Sequence, residues 1–146
     1  MSLIDKAREK LKMMLSLDRS PSTIAWSAVA GCLIGISPYI GLQTYIGLLV
    51  AGWFNLPVYP VIIGVYITNP ITIPFIFALT TKFGLYVLGM ENSIHIDWSN
   101  LTFSALFEAG KTLILPFFVG THLAGILLSI PTFFIVYFLV KIYRKS

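Results

Sequence analysis

The chain has 146 residues, of which 57% are hydrophobic and 11% charged, with a net charge of +4 and a mean hydropathy of +0.86. Soluble domains average roughly 45–50% apolar and about 25% charged residues, so this composition excludes an ordinary water-soluble domain. No charged residue stands between Arg19 and Lys82, whereas ~20 apolar residues already suffice to cross a bilayer. The expected class is therefore all-α: a polytopic integral membrane protein.

Residues 1–19 read as a cytoplasmic amphipathic helix. Leu3, Ile4, Ala7, Leu11, Met14 and Leu15 recur at helical spacing, with Lys6, Arg8, Lys10 and Lys12 between them. Such a helix lies on an anionic leaflet or caps the bundle. Its scattered charges leave no compact apolar core of a signal peptide. Residues 20–140 form a single membrane domain. Ser20-Pro21 is a helix start signal, with Ser at the N-cap and Pro at the first helical position. The first broken segment, 21–54, is interrupted at "GISPYIG". Its arms of about 15 residues span roughly 22 Å each, less than the ~30 Å hydrocarbon layer. Asn55-Leu56-Pro57 punctuates the chain. The second broken segment, 58–90, is interrupted at "TNPITIP" into arms of about 11 and 19 residues.

A polar loop follows at 91–111, with Glu91, His95, Asp97, Glu108 and Lys111. Trp98, Leu101, Ala105 and Leu106 predict a short interfacial helix there. The C-terminal span, 112–140, is long enough to cross, and 141–146 is a basic cytoplasmic tail. Basic residues cluster before the first apolar segment and after the last, which places both termini in the cytoplasm and argues against nucleic acid as the partner of the positive charge. The acidic loop then favours the outer side. A hairpin in 21–54 followed by one broken crossing in 58–90 satisfies that topology. Two equal hairpins do so only if the last segment also folds back. Trp26 and Trp53 would share one interface in a hairpin. Ser27, Gly31 and Gly35 recur every four residues, a stripe that lets membrane helices approach closely.

The breaks at 37–38 and 69–70 share one plan: apolar arm, small polar residue, proline, apolar arm. Interrupted segments in corresponding positions point to a binding site in transporter folds. Proline removes an N–H and leaves carbonyls without partners, which hydrocarbon does not tolerate. Ser37 and Asn69 are placed to be N-caps of new half-helices, and helix N-termini attract anions. The candidate substrate or ion site is Ser37, Gln43, Thr44, Asn69 and Thr72, with Thr68 nearby and His122 deeper in the last segment. The same groups could instead satisfy one another and hold the hairpins together. Gly35, Pro38, Gly41, Pro57, Pro70 and Pro74 are the structural breaks. Two histidines and Cys32 in separate segments match no metal-ligand spacing, and no cofactor is expected.

"ISPYIGLQT" (36–44), "NLPVYPVIIGVYITNPITIPFIFALTTKFG" (55–84) and "LPFFVGTHLAGILLSIPTFFIVYFL" (115–139) resemble the prokaryotic membrane family called domain of unknown function 2062. The resemblance rests on Pro38, Gly41, Gln43 and Thr44, then Asn55 and Pro57, then Asn69, Pro70 and Thr72, and on Gly120 with its apolar tail. It implies a bacterial-type membrane protein with no assigned reaction. Relatives joined to glycosyltransferase-like domains hint at envelope lipids or lipid-linked sugars.

The leading expectation is a non-enzymatic transport protein, a channel or transporter for an anion or anionic lipid headgroup. It would sit in the prokaryotic inner membrane among membrane lipids, as a homo-oligomer because one subunit offers few helices. The alternative is a scaffold or accessory subunit with an envelope-enzyme partner. An enzyme would need a nucleophile beside a base, and Ser37 has no partner visible in sequence; Glu91, His95 and Asp97 read as solvated loop.

Overall fold

A computed structural model describes residues 3–90 and 102–145. Among the described residues all regular structure is helical: α1 (Leu3–Leu15), α2 (Pro21–Ile36), α3 (Gln43–Trp53), α4 (Val58–Val65), α5 (Ile73–Val87) and α6 (Phe103–Tyr143). The start of α2 is as expected. The Ser20 side chain accepts from the Thr23 amide, and Pro21 opens the helix.

The first arm, α2, has 16 residues, close to the expected length; the other arms are shorter than predicted, because several residues at each break go into turns. Within 58–90 the arms have 8 and 15 residues; α3 has 11. The last helix is longer. It has 41 residues and begins at Phe103, so Ala105 and Leu106 belong to it rather than to a separate interfacial helix. Glu108 and Lys111, counted as loop from their charge, sit on α6 as an i,i+3 ion pair of 2.8 Å, a spacing that supports helix. Glu91, His95, Asp97, Trp98 and Leu101 lie outside the described residues.

α2 is the central helix, packed on both α4 and α6. It runs parallel to α4: Gly31 lies against Val61, and Gly35 against Gly64 and Val65. It runs antiparallel to the second half of α6, where Trp26 meets Phe133, Leu33 meets Gly125 and Arg144 reaches back to the carbonyls of Leu17 and Arg19. α3 folds back along α2, so that Val50 and Phe54 share a groove with Thr23 and Trp26. α2 and α3 therefore form a hairpin. α4 and α5 do not pack side by side; the chain instead carries on past the second break, and α5 lies against the first half of α6 through Phe77 and Phe117. The two breaks thus share a sequence plan but not a geometry.

The stripe Ser27, Gly31, Gly35 is a packing face within the fold. A Cβ on Gly31 would stand 2.0 Å from the Val61 carbonyl oxygen, so only glycine admits α4 at this distance. At the termini, Met14 and Leu15 are buried with Ile24 and Val140, which docks the last turn of α1 on the bundle while Ile4 and Leu11 stay exposed.

The surface inverts the soluble pattern. Trp53 is 89% exposed, Ile71 79% and Phe75 69%, and contiguous apolar exposure of this kind marks a surface that meets something other than water. Phe107–Tyr143 within α6 is long and apolar enough to cross a membrane.

Candidate functional site at the helix breaks

The tip of the α2–α3 hairpin, the α4–α5 break and the middle of α6 meet at one level. The Gly35 carbonyl, left free where α2 ends, is the node. It accepts from the Gln43 Nε2 at 2.9 Å and from the Thr68 hydroxyl. The Gln43 amide also reaches the Ser37 carbonyl at 3.3 Å. One side chain from the start of α3 thereby satisfies the end of α2, and one from the second break clamps onto the first. Gln43 and Ser37 are each 8% exposed. The space left inside this joint is about 10 Å³, at or below the ~10–15 Å³ that one water needs.

Ser37 is not an N-cap. It ends α2, and its hydroxyl donates back to the Ile34 carbonyl. The reason is distance along the chain: α3 begins six residues later, at Gln43, with Leu42 in the cap position and no side-chain cap. Gly35 is likewise not a turn residue. It is helical, and its missing Cβ lets the Gly64 and Val65 carbonyls come close, 2.8 Å from where a Cβ would sit. Gly41, by contrast, has φ +89° and does make the turn possible.

Asn69 caps the turn that follows it rather than α5 itself, whose N-cap position is Thr72. The Asn69 Oδ1 accepts from the amides of Ile71 at 2.9 Å and Thr72 at 3.1 Å. Thr72 reciprocates, its Oγ1 accepting from the Asn69 amide at 2.9 Å and donating to the Ile67 carbonyl at 3.0 Å. The Asn69 carbonyl takes the Ile73 amide, so Pro70 and the residues after it form a turn leading into α5, with Pro74 in that helix's first turn. Pro57 stands immediately before α4, at its N-cap position. Asn69→Ala should lower stability by about 1 kcal/mol. Asn69→Ser, which keeps an acceptor, should recover most of the loss, as read by thermal unfolding in detergent.

The two ends differ in what remains open. Among the described residues the first amides of α3, on Gln43, Thr44 and Tyr45, have no hydrogen-bond acceptor, and neither does the Thr44 hydroxyl. On the α6 side a groove of about 270 Å³ is lined by Ser37, Tyr39, Ile46, Thr121 and His122. His122 Nδ1 lies 2.8 Å from the Phe118 carbonyl. A carbonyl only accepts, so Nδ1 is the donor of this hydrogen bond. The Tyr39 ring stands edge-on to the imidazole, 6.2 Å between centroids. The structure thus joins Ser37 and Gln43, through Gly35 and Thr68, to the break that Asn69 and Thr72 close. It sets His122 in the adjoining groove and leaves Thr44 outside the joint. Tyr39 and Thr121 were missed from sequence. Their neighbours in the chain, Pro38 and His122, were the only local signal. Among the described residues no cluster of His, Cys, Asp or Glu could hold a metal.

Helix breaks interlocked at mid-height in an apolar, all-helical body define a class of protein with a buried polar joint. A family model described as an uncharacterized protein conserved in bacteria (DUF2062) matches residues 5–146, and the chain belongs to this family. No curated protein and no solved structure matches it significantly.

Proposed function

We propose that this chain is a small transport protein of the bacterial inner membrane, working as a homo-oligomer, with an anion or an anionic headgroup as cargo. The α2–α3 hairpin re-enters the membrane from the cytoplasmic side, α4–α5 crosses with a break, and α6 returns, so that both termini are cytoplasmic. The parallel course of α2 and α4 supports this topology.

The observation that carries the reading is the uncapped start of α3. Its free amides and the Thr44 hydroxyl lie at mid-height of the bundle, at the level of the His122 groove. Unpaired backbone donors in hydrocarbon cost several kcal/mol each, so they call for water, a ligand or another subunit. A helix N-terminus favours an anion. The test is anion or anionic-lipid flux in proteoliposomes. Thr44→Val and His122→Ala should each cut flux at least several-fold with unchanged thermal stability. Absence of flux from the unmodified protein would overturn the reading.

One observation favours a second reading, a scaffold for an envelope enzyme: Ser37, Gln43, Thr68, Asn69 and Thr72 all spend their hydrogen bonds within the chain. That reading expects no flux and a specific partner retained in mild detergent.

A further inference from the structure

At the terminal end of the bundle, α2 and α3 splay apart. The groove between them measures about 590 Å³ and is lined by Arg19, Trp26, Val29, Leu33, Phe54 and Asn55, among others. This volume falls within the ~300–1,000 Å³ of ligand pockets. Its inner walls are aliphatic and aromatic, and its polar residues, Arg19, Thr23 and Asn55, come from the ends of the two arms. Between Arg19 and Leu33 it follows α2 for roughly 20 Å, about the depth of one leaflet with its headgroups.

Arg19 brings positive charge to the mouth of this groove. The Arg144 guanidinium is fixed on the carbonyls of Leu17 and Arg19, with Lys141 and Lys145 on the same end of the chain. Among the described residues neither arginine forms an ion pair, although Asp18 lines the neighbouring groove together with Arg144.

We infer that this groove holds one anionic phospholipid, its phosphate at Arg19 and an acyl chain along Trp26, Val29 and Leu33 between α2 and α3. The occupant follows from charge complementarity: a cationic mouth on an apolar trough fits an amphiphile with an anionic head, whereas an apolar protein helix would leave Arg19 unmatched. The inference rests on the membrane placement proposed above and not on transport. Retention of the chain in alkali-washed membranes tests that placement separately.

The experiment is native mass spectrometry of the full chain released from detergent after titration with phosphatidylglycerol or phosphatidylcholine. Phosphatidylglycerol should be retained preferentially. Arg19→Gln, at an exposed position where folding is not at stake, should weaken its retention about five-fold and leave phosphatidylcholine unchanged, and Arg19→Lys should restore most of the preference. Ala30→Trp, which fills the trough, should abolish retention of both. Equal retention of the two lipids, indifference to Arg19→Gln, or competition by millimolar inorganic phosphate alone would overturn the proposal, the last by showing a simple anion site.

Discussion

Alanine at Gly84 or Gly120 is expected to abolish accumulation of folded protein, while alanine at Gly52 or Gly110 leaves it intact. All four changes add one methyl group, and only their surroundings differ. A Cβ on Gly84 would lie 1.8 Å from the Pro116 carbonyl oxygen, and one on Gly120 would lie 1.8 Å from the Thr80 carbonyl oxygen. Both obstacles are backbone, so no rotamer change relieves them and α5 must move off α6 by more than an ångström. Dispersion falls steeply over such a gap. In the membrane placement proposed above, the two helices depend on this close packing because lipid supplies no hydrophobic drive between them. Overpacking in a core costs ~1–3 kcal/mol where side chains can yield; here the loss should exceed about 3 kcal/mol. Around Gly52 and Gly110 nothing lies within 4 Å of the added carbon, and the gain in helix propensity is at most ~1 kcal/mol. Thermal unfolding in detergent and the monodisperse fraction on gel filtration read the difference. Folded, unshifted Gly84→Ala and Gly120→Ala proteins would mean that α5 and α6 do not meet in this way.

That contact also marks the limit of what the residues announce by themselves. The apolar runs, the start at Ser20-Pro21, the breaks at Pro38 and Pro70 and the stripe through Gly31 and Gly35 are local signals, and each appears where its chemistry puts it. Gly84 and Gly120 carry no such signal. Their importance arises from the register of α5 on α6, which is set by shape over many turns. The length of α6 was missed for a related reason. Charge at Glu108 and Lys111 reads as loop in a hydropathy profile, yet at i,i+3 it is compatible with helix. Ser37 was misplaced because a serine before a proline fits either end of a helix. What decides is where the next partner stands, and that partner is Gln43, across a turn. Asn69 was legible as a capping side chain because its partner, the Thr72 amide, stands three residues away; that it closes a turn before α5 and not the helix itself was not legible.

Replacing Gln43 should weaken the joint in a graded way that reports on its hydrogen bonds. The Gln43 Nε2 is a donor to two carbonyls, those of Gly35 and Ser37, in a nearly closed space. Gln43→Ala removes the donor and opens a small void. The Ser37 carbonyl loses the one partner the structure gives it, while the Gly35 carbonyl keeps Thr68. An unsatisfied buried group costs about 1–3 kcal/mol, so a loss near 2 kcal/mol is expected. Gln43→Glu should be worse, although the side chain keeps its size, because an ionised carboxylate offers only acceptors to groups that are themselves acceptors. Thr68→Val on top of Gln43→Ala should then cost more than the sum of the two single changes. The first donor lost leaves the Gly35 carbonyl with a partner, and the second leaves it with none. A double-mutant cycle on thermal stability in detergent measures this coupling directly. Strict additivity, or a Gln43→Glu protein as stable as the unmodified chain, would show that the Gln43 amide does not tie the two breaks together.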